Sequence, residues 1–208
     1  MKKIALLLIS AVLLPLLPLR AGGDDTLDRI EATGAALTSL EGSFSQTKTV
    51  KANGKTSSFS GTFYFVAPGQ LAMAYKEATE GLVLSNGKFF IRRGGKAHKG
   101  ELKHNKQMEQ LSDVLFGCLQ GRVRAVAEDN DATSSVKKDK DGTVVVTLLA
   151  RKKSSKGFAR IVLRYRPSDL LLTGVLLEEG SGNINEYTLT TPVAGGTIPA
   201  SRFEIPKK

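Results

Sequence analysis

The two histidines and the one cysteine are the side chains most able to do nucleophilic or metal chemistry, and their surroundings argue against both. His98 and His104 stand in RRGGKAHKGELKHNK, residues 92–106, among six Lys or Arg and one Glu. A divalent ion needs neutral imidazoles and further ligands, and the surrounding cations repel it. The run reads as a solvated loop, so no metal site is expected. Cys118 lies within the apolar stretch LSDVLFGCLQ and has no second cysteine to pair with, which reads as a buried structural thiol. The chain carries no GxSxG elbow, no HExxH and no Gly-rich phosphate loop ahead of a helix. No catalytic residue, no cofactor and no enzymatic activity are expected; an exported acyl-ester hydrolase would need a Ser-His pair built from the loop histidines.

Apolar alternation is the more informative pattern. In GTFYFVAPGQLAMAY, residues 61–75, Phe63 and Phe65 lie on one side of a strand, and Leu71, Met73 and Tyr75 alternate with small Ala72 and Ala74 on the next. Phe44, Phe63, Phe65, Leu71, Met73, Tyr75, Leu82, Leu84, Phe90, Leu111 and Leu115 form the candidate set for an apolar interior. Each would ordinarily be core. Met73 and Met108, flexible and polarizable, also suit a cavity whose contents vary in shape. The cations Arg92, Arg93, Lys96, Lys99, Lys103 and Lys106 are candidates for docking an acidic partner or anionic headgroups, as is RKKSSKG at 151–157. No aromatic residues are interleaved with these charges to stack bases, so nucleic acid is not an expected partner.

The elements that position these residues are mostly strands. Residues 24–40 read as an amphipathic helix and 108–119 as a second, with Met108, Leu111, Leu115 and Leu119 at helical spacing. Short segments at 42–50, 56–67, 71–79, 81–85, 88–93, 123–127, 134–138, 143–150, 158–166, 170–177 and 186–191 read as strands. Asn53-Gly54, Asn86-Gly87 and Asp141-Gly142 punctuate them. This implies an α+β fold, mainly β: one strongly curved antiparallel sheet, open or closed, with helices over one face. TVVVTLL and DLLLTGVLL are apolar on both faces, so a second face is expected to need a cover.

The chain opens MKKIALLLISAVLLPLLPLRAGG, which has the charged start and short apolar run of a secretory leader. Residues 1–21 are expected to be cleaved, leaving 22–208 as one domain of 187 residues. Loss of Lys2, Lys3 and Arg20 lowers the net charge from +10 to +7. No cysteine follows the apolar run to accept an N-terminal lipid, so the exported protein is expected to be soluble.

The order of motifs resembles the LolA family of periplasmic lipoprotein carriers. A helix is followed by GSFSQTKT at 42–49 with its Phe-x-Gln strand, then by GTFYFVAPGQLAMAY, then by the hairpin GLVLSNGKFF at 81–90, and RFEIP closes the chain. Each motif alone is weak, and their order covers nearly the whole mature chain. The resemblance implies an incomplete β-barrel with a helical lid over an apolar cavity, binding acyl chains of a lipoprotein in the periplasm. It implies a monomer loaded by an inner-membrane lipoprotein-releasing transporter and unloaded at an outer-membrane receptor. It also leaves open a specialised carrier of another acylated lipid, or a lipoprotein-binding sensor module. Family members typically hold the lid with an Arg before the turn proline. Here Ala67 precedes Pro68, which leaves gating to other polar residues or points to a different cargo.

Overall fold

Asn86 and Gly87 take positive φ, 51° and 74°, the two-residue turn whose twist matches the strands on either side. That turn sets the register of β4 (Gly81–Ser85) and β5 (Lys88–Arg93), pairing Ser85 with Lys88, Leu84 with Phe89 and Val83 with Phe90. The computed structural model describes residues 22–152, 154 and 157–206, so the leader expected at residues 1–21 lies outside the described residues.

Two antiparallel meanders make the sheet. The first runs β1 (Ser39–Val50), β2 (Lys55–Val66), β3 (Gln70–Tyr75), β4, β5 and β6 (Lys96–Glu101). The second runs β7 (Ala132–Lys138), β8 (Val144–Ala150), β9 (Phe158–Tyr165), β10 (Leu172–Glu179) and β11 (Ile184–Ala194). β1 pairs with β11, giving one sheet of 11 strands in the order 6-5-4-3-2-1-11-10-9-8-7, curved and not closed. The free edges are β6 and β7, and the chain between them carries α2 (Lys106–Leu119) and α3 (Val123–Asp129). These helices and α1 (Gly22–Ala35) cover the concave face, where their apolar residues join those of the strands in one core.

Local chemistry explains the helices. Asn105 caps α2, its side-chain oxygen accepting from the Met108 amide at 3.1 Å. Met108, Leu115, Phe116 and Leu119 are buried along one side, and Gly117 admits Val126 of α3 at close range. The chain turns between α2 and α3 at Gly121, whose φ is +67°.

Four sequence expectations are corrected. Residues 123–127 form α3, not a strand: Val123, Val126 and Ala127 face the core at helical spacing, which a five-residue apolar run cannot declare by itself. The first helix ends at Ala35, because Leu40 already pairs with Phe65 in the sheet. The basic segment at 96–101 is the edge strand β6, exposed from Lys96 to Gly100 and held by pairing with β5. Finally, the outward side of β8 is covered only in part: Val145 and Thr147 are half-buried, and Leu149 stays 53% exposed.

Candidate functional site

Directly opposed residues of antiparallel strands share a face, so the interior can be traced through the register. One row runs Leu40, Phe65, Leu71, Leu84, Phe89. The next runs Phe63, Met73, Leu82, Ile91. A third places Gly61 between Phe44 and Tyr75. Across the β1–β11 seam, Leu189, Val175, Leu163 and Val146 continue the surface, and Ile30, Leu115, Phe116 and Val126 close it from the helices. Phe65 and Phe116 bring sheet and lid together, with ring centroids 6.3 Å apart.

The structure gathers ten of the eleven apolar candidates here. Phe44, Phe63, Phe65, Leu71, Met73, Leu82, Leu84 and Leu115 are buried in this cluster, with Tyr75 and Leu111 half-buried against it. Phe90 is the exception. The Asn86–Gly87 turn sets it opposite Val83, and so on the convex face, while its neighbour Phe89 faces inward opposite Leu84. On the convex side Arg92 lies over the Phe90 ring at 5.5 Å. Nearby, the 3-10 turn Ala200–Phe203 packs on β3 and β4, with Phe203 buried and the Arg202 guanidinium 4.8 Å from the centre of the Tyr64 ring.

A polar cluster sits within this apolar surface. The Tyr75 hydroxyl donates to Gln46 Oε1 at 2.8 Å, and Gln46 Nε2 donates to Tyr187 Oη at 3.0 Å and to Asn185 Oδ1 at 3.1 Å. Gln46 is buried and fully engaged, which makes the Phe-x-Gln motif a polar clasp between the two meanders. Burial pushes the phenols of Tyr75 and Tyr187 above their ordinary range, so both act as neutral hydrogen-bonding groups.

The lid is tied at its rim. Gln120 Nε2 donates to the Pro68 carbonyl at 2.8 Å, joining the end of α2 to the turn between β2 and β3. Arg124 on α3 bridges two carboxylates of α1, with Nη1 2.7 Å from Glu31 Oε2 and Nη2 2.9 Å from Asp28 Oδ1. Its backbone amide also donates to Glu31 at 3.2 Å. α1 crosses the α2–α3 turn so closely that a Cβ at Gly34 would collide with the Gln120 carbonyl. Beside these ties a depression of about 620 Å³ is lined by Leu37, Ala67, Pro68, Gln120, Arg122 and Ala125. Beneath them the Tyr165 side chain is 2% exposed, and its hydroxyl has no hydrogen-bond partner among the described residues.

The basic candidates do not form one patch. Arg93 and Lys96 lie opposite each other on the inward side of the β5–β6 hairpin, and Arg92 and Lys99 lie on its convex side. Lys99 Nζ reaches the Pro206 carbonyl at 3.2 Å, and Arg92 Nη1 donates to the Ala78 carbonyl at 3.1 Å. Lys103 pairs with Glu101 at 3.0 Å, and Lys106 is exposed at the start of α2. His98 and His104 are exposed, and among the described residues no group of three His, Cys, Asp or Glu is placed to hold a metal. No helix among them is long and apolar enough to cross a membrane.

Sequence reasoning missed Phe89, Gln46, Tyr187, Phe116 and Tyr165. The first was within reach, because a two-residue Asn-Gly turn fixes which of two adjacent phenylalanines opposes an inward leucine. The others depend on the β1–β11 pairing or on the docking of the helices, which no local pattern declares.

An open antiparallel half-barrel with helices closing its apolar concave face defines the class of this protein. The sequence profile described as outer membrane lipoprotein carrier protein LolA matches residues 35–206, and the chain belongs to that family. Comparison with curated protein sequences finds no match. Among solved structures, a conserved protein of Thermus thermophilus is similar with a TM-score of 0.50 and 10% identity, over 88% of this chain and 94% of that one. A LolA superfamily protein of Nitrosomonas europaea has a TM-score of 0.42 and 9% identity over 88% and 97% of the two chains. LprF of Mycobacterium bovis has a TM-score of 0.45 and 15% identity over 84% and 94%.

Proposed function

We propose that this protein is a periplasmic carrier that takes up the acyl chains of lipoproteins and moves them from the inner to the outer membrane. Family membership over residues 35–206 is the observation that carries the reading. It is supported by an interior in which Leu71, Met73, Leu82 and Leu84 form an unbroken apolar floor beneath helices tied down by a few polar contacts. Burying an acyl chain removes about 0.8 kcal/mol per methylene from contact with water, so a lid that parts from the floor exchanges protein–protein for protein–lipid contact. The carrier performs no covalent chemistry and works as a monomer. An inner-membrane lipoprotein-releasing transporter loads it, an outer-membrane receptor accepts the cargo, and the exposed Arg93, Lys96, Lys103 and Lys106 guide approach to anionic surfaces.

The test uses energised inner-membrane vesicles carrying a labelled lipoprotein and a competent transporter, incubated with the purified mature protein. Label recovered in a soluble one-to-one complex is the expected result. Folded protein that leaves the label in the vesicles overturns the transport reading.

A further inference from the structure

Tyr165 closes β9 on the concave side, between Val144 of β8 and Leu172 of β10. Its ring belongs to the core, yet its hydroxyl is unpartnered among the described residues. Buried hydroxyls in folded proteins are nearly always hydrogen-bonded, because the bonds to water have been given up. A phenylalanine would fill the same space without that loss, so the closed state gives no reason for the oxygen.

Its surroundings suggest a state that does. Tyr165 borders a crevice of about 10 Å³ between α1 and β10, walled by Ile30, Leu40, Leu119 and Leu172. Gly34 and Leu37 line both this crevice and the 620 Å³ depression at the rim. A movement of α1 away from the α2–α3 turn would join the two spaces, with Glu31, Gln120, Arg122 and Arg124 at the outer mouth and Tyr165 among the mainly apolar walls of the inner crevice. Burial also keeps the phenol protonated, and therefore a donor, well into the alkaline range.

We propose, resting on the carrier reading above, that the Tyr165 hydroxyl donates a hydrogen bond to the acyl carbonyl of the cargo, ester or amide, when α1 lifts. The surrounding leucines then receive the chain on the far side of that carbonyl. The residue thus selects acyl esters and amides over hydrocarbon of equal length.

The experiment measures binding of three probes to the mature protein and to Tyr165→Phe by titration calorimetry. The probes are a diester phosphatidylglycerol, its diether counterpart, and a peptide with one amide-linked acyl chain. Wild type is expected to bind the diester roughly three- to tenfold more tightly than the diether, the scale of one neutral hydrogen bond. In Tyr165→Phe that ratio falls to about one, while thermal stability without lipid is unchanged or raised, since only an unpaired group is removed. If the amide probe alone loses affinity in the variant, the recognised carbonyl is the amide; if the diester alone does, it is the ester. Equal binding of diester and diether by wild type, together with an amide probe that binds wild type and Tyr165→Phe alike, overturns the proposal and makes the hydroxyl a site for a structural water. Retained discrimination in the variant overturns it as well, with lipid binding intact. Failure of wild type to bind any probe overturns the carrier reading together with it.

Discussion

Phe44 and Tyr75 meet edge to face across Gly61, with ring centroids 4.9 Å apart and planes inclined at 80°. The register puts Gly61 between them on the concave face, and a Cβ there would collide with the Ala74 carbonyl and crowd the Phe44 ring. Gly61→Ala is therefore expected to cost about 1–3 kcal/mol through overpacking. Urea denaturation with an unchanged m-value and a lower midpoint is the signature, and an unchanged midpoint contradicts the packing account.

The lid ties predict a coupling that can be measured directly. Arg124 and Glu31 are each about a third exposed, so solvent weakens their attraction, and a double-mutant cycle is expected to give about 0.5 kcal/mol. Arg124→Ala also loses Asp28 and should raise hydrogen exchange in α1 while leaving β8 and β9 protected. Uniform exchange across the molecule would mean that α1 does not open separately.

Cys118 is fully buried, and burial pushes its thiol from an ordinary 9.0 up to about 12. Folding favours the neutral thiol, so the associated stability is complete below pH 9 and is lost as pH rises toward 12. The slope is about 1.4 kcal/mol per pH unit for one proton, and Cys118→Ala should flatten that part of the stability curve. The native thiol should also resist aromatic disulfide reagents at about pH 8 and react once urea unfolds the chain.

Leu71 is a core residue as well as a floor residue, 3% exposed. Leu71→Ala is expected to cost about 2–4 kcal/mol, and Leu71→Glu to prevent folding by burying a charge. Cargo capture by Leu71→Ala, measured where it remains folded, separates the two roles. A correctly folded Leu71→Glu would show that the position is solvated.

Much of this architecture is legible in the sequence because strands alternate. Phe63, Phe65, Leu71 and Met73 announce their inward face by period two, and the Asn-Gly turn places β4 beside β5. Apolar character taken without register misplaces Phe90. β6 is hidden because an edge strand exposed on both faces shows no alternation. Helix α3 is hidden by its length. Gln120 and Arg124 carry no pattern of their own, since their roles exist only after the helices have docked, α2 on the β2–β3 turn and α1 on α3. Tyr165 is invisible for a different reason: what marks it is a missing partner.

The pairing of β1 with β11 joins residues near opposite ends of the chain, such as Phe44 and Leu189. Each meander is built from neighbours in sequence and can form early, but this seam must close a loop of more than a hundred residues before its contacts reward the lost entropy. Folding is therefore committed only when the last strand is present. Until β11 is made, β1 is paired on one edge only, with β2, and the two meanders cannot close one interior between them.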